Sequence, residues 1–278
     1  KENLALYSTD RRAFEHWVDG NWITANKLMG VISTDYHLKE EHCLNHGTGG
    51  NHPRPCSADH IGPISLGFTH RPEFQLLCKS CNSAKNNRMF YSDVLNLLRA
   101  EREGKQITSW YLSTLWRLAN PLVIDNDTAL RFSRILRDNR HNAMMVLADY
   151  MRAKQFLFLY TFLNLGYADF NYELEKPEVA NHIVKATFKR TPSDLKYVLE
   201  QKARVVRVAF SSLIEYSTKE NRNALLINIE ENTELFKESI YELRAADNEY
   251  QTYNNLLSCL LSRENVPEEE LRALISTI

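Results

Sequence analysis

The chain has 278 residues, of which 44% are hydrophobic and 25% charged, and its formal net charge is -1. These proportions fit a soluble globular protein of one large domain or two. They exclude the strongly basic footprint of a nucleic-acid coat protein, so any contact with nucleic acid must be local.

In chain order, Phe14, Trp17, Val18, Trp22, Ile23, Leu28 and Met29 recur at helical spacing, interrupted at Asp19-Gly20, and predict two short helices. No basic, apolar and small-residue leader is visible at the start, which makes a reducing cytoplasm the expected location. Between Glu41 and Asn87 the composition shifts to Cys, His, Gly, Pro and Asn, with Gly47, Gly49, Gly50, Pro53 and Pro55 marking an irregular loop. Ser92-Asp93 then reads as a helix start. Helical periodicity continues from there in pieces separated by Asn120-Pro121, Gly166, Pro177, Thr191-Pro192 and Pro267. The longest apolar run, Phe156 to Leu165, falls short of the roughly 20 residues of a membrane span. The predicted class is α+β and predominantly α: N-terminal helices over 1–40, a small module over 41–91, and a multi-helix body over 92–278.

Residues 56 to 88 carry the chemistry. Four of the five cysteines lie between positions 43 and 81, which favours a metal site over a disulfide framework. Cys78 and Cys81 form a C-x2-C knuckle that brings two thiolates to one ion, and Cys43 and Cys56, with 12 residues between them, supply the other two. His42, His46 and His52 share that loop and are alternative ligands. The expected ion is structural Zn²⁺, replacing the hydrophobic burial that so small a unit lacks.

Asp59-His60 is followed by Ile61-Gly62-Pro63-Ile64, apolar residues around a Gly-Pro turn that suggest a short antiparallel ribbon. Leu76-Leu77-Cys78 then leads into a helix starting between Lys79 and Asn82, which turns Asn82, Lys85 and Asn86 towards the ribbon. The carboxylate of Asp59 and the amide oxygen of Asn82 are hard donors suited to Mg²⁺ or Mn²⁺. His60 is a natural general base near neutral pH. Together they are the residue types that phosphodiester hydrolysis requires. Because neighbouring side chains on a strand point to opposite faces, Asp59 and His60 can serve one site only if the ribbon is twisted or bulged there.

The pattern Asp59-His60-Ile61-x-Pro63, with Leu77-Cys78-x2-Cys81-Asn82-x2-Lys85, resembles the HNH (ββα-metal) nuclease superfamily, in the form found in type IIS restriction endonucleases of the BsaI and BsmBI kind. The resemblance covers Cys43 to Arg88. It implies a zinc-bound ββα module that cleaves double-stranded DNA, with Asp59 and Asn82 on the catalytic Mg²⁺ or Mn²⁺, His60 as base, and Cys43, Cys56, Cys78 and Cys81 on Zn²⁺. It further implies a prokaryotic host, a cognate DNA methyltransferase, and pairing of protomers on DNA for a double-strand break. Many members carry a middle Asn that orients the base histidine; its place falls near Glu73 here, and the orienting role is unassigned. Enzymes of this subgroup have a sequence-reading portion ahead of the nuclease part, so the 40 residues before the segment suggest a catalytic portion. The rival expectations are a non-catalytic zinc-ribbon adaptor with a helical partner-binding body, and another HNH enzyme such as a nicking nuclease or a toxin.

Lys85 and Arg88 suit either a DNA phosphate or a solvated helix face. Arg131, Arg134, Arg137 and Arg140 recur every three residues, a spacing that winds a cationic stripe around a helix and suits a phosphate backbone. Lys196, Lys202, Arg204 and Arg207 are interleaved with Glu200 and read as a solvated face. Cys259, among leucines, and the cluster Phe156, Phe158, Tyr160 and Phe162 read as core.

Overall fold

The computed structural model describes residues 15–35, 37–38, 54–163 and 165–218. Cys43, the histidines of its loop, Cys259 and the Glu-rich end lie outside the described residues. The chain divides into two compact units. One comprises Phe14–Asn142 with Leu165–Lys202; the other comprises Lys1–Ala13, Ala143–Asn164 and Ala203–Ile278.

In the first unit, a helical turn over 15–17 ends at Asp19-Gly20, and helix α1 (Trp22–Asp35) follows. Asn21 caps it, its Oδ1 accepting from the Thr24 backbone N–H at 3.2 Å, and that bond satisfies one of the first-turn donors. The break is enforced at Gly20, whose φ of 102° favours glycine and whose backbone lies against His70. Strands β1 (His37–Leu38), β2 (Arg54–His60) and β3 (Glu73–Cys78) come next, and helix α2 (Lys79–Lys85) leaves β3 directly. Helix α3 (Tyr91–Arg102) begins where Asp93 accepts from the Phe90 backbone N–H, confirming the start read at Ser92-Asp93. Helix α4 (Ser113–Ala119) precedes the long α5 (Asn126–Arg152), whose start is capped by Asp125 through the Thr128 N–H at 2.8 Å.

The body is not helical throughout. Strands β4 (Phe170–Leu174), β5 (Glu178–Ala180), β6 (Ile183–Lys185) and β7 (Phe188–Pro192) occupy a stretch expected to be helical pieces. The physical reason is visible in the residues: Phe170, Tyr172, Val179, Ile183, Val184, Phe188 and Thr191 are aromatic or β-branched. Asn181 and His182 sit at φ 49° and 64°, the two left-handed positions of a tight hairpin turn joining β5 to β6. β6 then pairs antiparallel with β3, giving a five-stranded sheet in the order β1-β2-β3-β6-β5, and β4 pairs with β7 in a second sheet.

The two faces of the main sheet are packed differently. Ala25, Leu28 and Ile32 of α1 bury Cys56, Phe74, Leu76, Cys78 and Val184 on one face. The opposite face, presenting Ser57, Asp59, Gln75 and Leu77, is covered by α2, and Asp93 of α3 reaches Gln75 on it. Beyond it, a core of Ile61, Phe68, Leu97, Leu112, Trp116 and Phe132 ties the loop after β2 to α3, α4 and α5.

In the second unit, Met144, Leu147 and Met151 of α5, Phe156 and Leu159 of α6 (Phe156–Phe162), and Val205, Ala209 and Leu213 of α7 (Leu195–Thr218) are buried. The aromatic cluster packs here, Phe158 against Tyr150 at 4.6 Å between ring centroids and Phe156 against Phe210 at 6.4 Å. Among the described residues no helix is long and apolar enough to cross a membrane.

Candidate active site

β2 and β3 form a regular antiparallel hairpin, with Cys56 opposite Cys78, Asp59 opposite Gln75 and His60 opposite Phe74. The ladder continues through Asp59 and His60 without the bulge that would bring both side chains to one face. Side-chain alternation therefore separates them. Asp59 points towards α2 and α3. His60 lies on the α1 face, edge-on to Phe74 at 4.8 Å and to His70 at 5.8 Å.

Asn82, in the middle of α2, donates from Nδ2 to Ser57 Oγ at 2.6 Å. Ser57 and Asp59 stand two residues apart on one strand, so Asn82 and Asp59 share a face. Of the three residues read as catalytic, the structure brings these two to one side of the hairpin and places His60 on the other. Asn86 caps the C-terminus of α2 at φ 50°, its N–H donating to Asn82 O at 2.9 Å, and its side chain is exposed.

The carboxylate of Asp59 is 6% exposed and is held by Lys85 of the motif and by Gln75, which the motif did not reveal. Gln75 Nε2 and Lys85 Nζ both donate to Asp59 Oδ2. The same two donors reach Asp93, Gln75 to Oδ1 at 3.0 Å and Lys85 to Oδ2 at 3.0 Å. Lys85 is 1% exposed, so the ammonium expected at a phosphate or in solvent faces inward between two carboxylates. Burial raises the pKa of Asp59 above the ordinary aspartate range, and the adjacent Lys85 charge and the bonds from Lys85 and Gln75 oppose that rise. A cleft of about 520 Å³ approaches the cluster at Gln75, between Tyr91, Ser92, Asp125 and Asn126.

At the other end of the hairpin, Cys56 and Cys78 oppose each other, and the Cys81 N–H points at Cys78 Sγ at 3.4 Å, the local geometry of a C-x2-C turn. All three are buried. Among the described residues no group of three or more His, Cys, Asp and Glu side chains is arranged to hold a metal ion. The soft, paired sulfurs suit Zn²⁺ in donor chemistry, and Asp59 offers a hard oxygen suited to Mg²⁺ or Mn²⁺.

Over its whole length, residues 1–278, the chain matches the family model described as Type II restriction endonuclease (RE_Alw26IDE). The chain belongs to this family of type II restriction endonucleases. No curated protein and no solved structure matches it.

A restriction endonuclease hydrolyses DNA, a polyanion; of the cationic residues read from the sequence, Lys85 is buried and the arginines are less so. Ala129, Phe132, Ser133 and Leu136 turn α5 inward, which leaves Arg131, Arg134 and Arg137 exposed on its outer face. Arg88 is exposed and spans the end of α2, donating to the Ala84 carbonyl and, at 3.3 Å, to the Lys85 carbonyl. Arg140 is half-buried, 3.5 Å from the Ser65 carbonyl.

The residues that the sequence reading missed are Gln75, Asp93, Ser57 and His70. Asp93 was legible only as a helix start. Gln75 became visible once the hairpin register put it opposite Asp59. His70 is buried, its Nε2 lying 2.9 Å from the Glu15 carbonyl and its backbone N–H 2.8 Å from the Asp19 carbonyl.

Proposed function

We propose that the endonuclease cleaves double-stranded DNA as an HNH-type hydrolase, with Asp59 and Asn82 holding Mg²⁺ or Mn²⁺ and His60 acting as general base. The observation that carries this reading is the hairpin followed directly by α2, which places Asp59 and Asn82 on one face with Oδ2 of Asp59 pinned and Oδ1 turned to no hydrogen bond among the described residues. A bound divalent ion there supplies charge neutralisation for the phosphate in the transition state.

Asp59 contributes an oriented anionic oxygen, Asn82 a neutral oxygen, and His60 accepts the proton of the attacking water. His60 is the last residue of β2, just before the bend at 61–62. The proposal requires its imidazole to leave Phe74 and His70 and turn round the strand end when DNA engages, a tightening common between free enzymes and their substrate complexes.

Cys43, Cys56, Cys78 and Cys81 are proposed to hold a structural Zn²⁺ that clamps the base of the hairpin to α2. Paired protomers and a cognate methyltransferase complete the proposed restriction system of the BsaI and BsmBI kind. Plasmid cleavage with Mg²⁺ or Mn²⁺ tests the mechanism: His60→Ala should lose about 10²-fold or more, and Asp59→Ala and Asn82→Ala should lose metal-dependent cutting. Undiminished cleavage by His60→Ala would remove His60 from the reaction. Elemental analysis should find about one zinc per chain, and its absence from active enzyme would end the zinc assignment.

A further inference from the structure

Asp93 is fully buried and carries a carboxylate that the proposed reaction does not use. Its Oδ2 accepts from the Phe90 N–H at 2.8 Å and from Lys85 Nζ at 3.0 Å, and its Oδ1 accepts from Gln75 Nε2 at 3.0 Å. The two side-chain donors are the same two that hold Asp59 Oδ2. One carboxylate is thus locked to the start of α3, and the other is fastened to it through a shared ammonium and a shared amide.

We propose that Asp93 is a positioning residue for Asp59: by sharing Lys85 and Gln75 it fixes the Asp59 carboxylate through Oδ2 and leaves Oδ1 for a cation, and it draws off enough of the Lys85 charge for Asp59 to remain a competitive cation ligand. The inference rests on the reading that Asp59 binds the divalent ion. If Asp93 were neutral, the ammonium would bear on Asp59 alone and compete with the incoming cation. An asparagine at 93 would also present an N–H₂ group to Lys85 or Gln75, both of which are donors in this cluster.

The test uses the full chain. Mn²⁺ is titrated into wild type, Asp93→Asn, Gln75→Met and Asp59→Ala, and free Mn²⁺ is followed by its electron paramagnetic resonance signal without DNA. Melting curves and cleavage kinetics are run on the same preparations. Removing a group that orients a metal ligand typically costs 10- to 100-fold in affinity. Asp93→Asn is expected to bind Mn²⁺ about that much more weakly, to lose kcat with little change in KM for DNA, and to be partly rescued as Asp93→Glu. A folded Asp93→Asn protein with wild-type Mn²⁺ affinity overturns the proposal. Should that variant not fold, Gln75→Met decides, with several-fold weaker binding expected and unchanged binding overturning it. If Asp59→Ala binds Mn²⁺ as wild type does, the metal-ligand reading itself fails, and this inference fails with it.

Discussion

Lys85 and Asp59 are joined by a buried ion pair across 26 residues of sequence, and the same ammonium reaches Asp93. Breaking a buried pair by deleting one partner costs more than the pair contributes, because the remaining charge is left uncompensated. Lys85→Met strands two carboxylates in the interior. The expected loss is about 3–5 kcal/mol at neutral pH and less at acid pH, where protonation relieves the stranded charge of Asp59, whose pKa burial already raises. Urea unfolding at pH 5 and pH 8 measures it, and a loss independent of pH would contradict the charge argument.

Asp59→Asn should behave in the opposite sense. Burial raises the Asp59 pKa above the ordinary aspartate value, so the folded state binds the proton more tightly than the unfolded chain does. For such a group, the stabilisation present below the unfolded pKa is lost as pH rises through the folded value. The asparagine variant has no such titration. Its melting temperature is therefore expected to gain on wild type as pH increases above the ordinary aspartate range, while cleavage is abolished. Parallel stability profiles across that range would show that Asp59 is not strained by burial.

A methyl group at position 20 has nowhere to go. A Cβ built on Gly20 would lie 2.2 Å from the His70 carbonyl oxygen and 2.5 Å from its nitrogen, and the φ of 102° disfavours any side chain. Gly20→Ala is expected to cost about 2–4 kcal/mol and to loosen the segment carrying His70, which packs on His60. Chemical denaturation checks the first expectation and hydrogen exchange at 68–70 the second. A denaturation curve that overlays wild type would refute the close-approach argument.

The exposed arginines of α5 make a prediction about salt. Replacing Arg131, Arg134 and Arg137 together by alanine should weaken DNA binding and reduce the slope of log affinity against log salt by about 1 per lost phosphate contact. Because all three face outward, folding stability should hardly change. An unaltered salt slope would assign them to solvent.

The local pattern carried α2, the capped start of α3 and the break at Gly20, since each depends on a few neighbouring residues; the ribbon read around Gly62-Pro63 is instead a 3-10 turn over Ile64–Leu66, and β2 pairs with the more distant β3. β4 to β7 were not legible in it. Short strands such as Glu178–Ala180 and Ile183–Lys185 are too brief to display alternation, and proline and glycine there mark helix ends and hairpins alike. At the candidate site, adjacency in sequence placed Asp59 beside His60, and the strand's period of two separated them. Gln75 and Asp93 were invisible for a different reason. Their roles arise from a cross-strand register and from a helix folding back over the sheet, neither of which is a property of any short window.

The pairing of β3 with β6 sets a schedule for biogenesis. Glu73, Phe74 and Gln75 meet their partners only at Lys185, Val184 and Ile183, roughly a hundred residues downstream, which a ribosome working at about 5–20 residues per second takes about 5–20 seconds to deliver. Until then the strand bearing Gln75 has a bare hydrogen-bonding edge. A nascent chain thus completes this sheet only once β6 has been made, and a chain cut before Ile183 would yield a sticky, unfinished blade in place of a miniature nuclease.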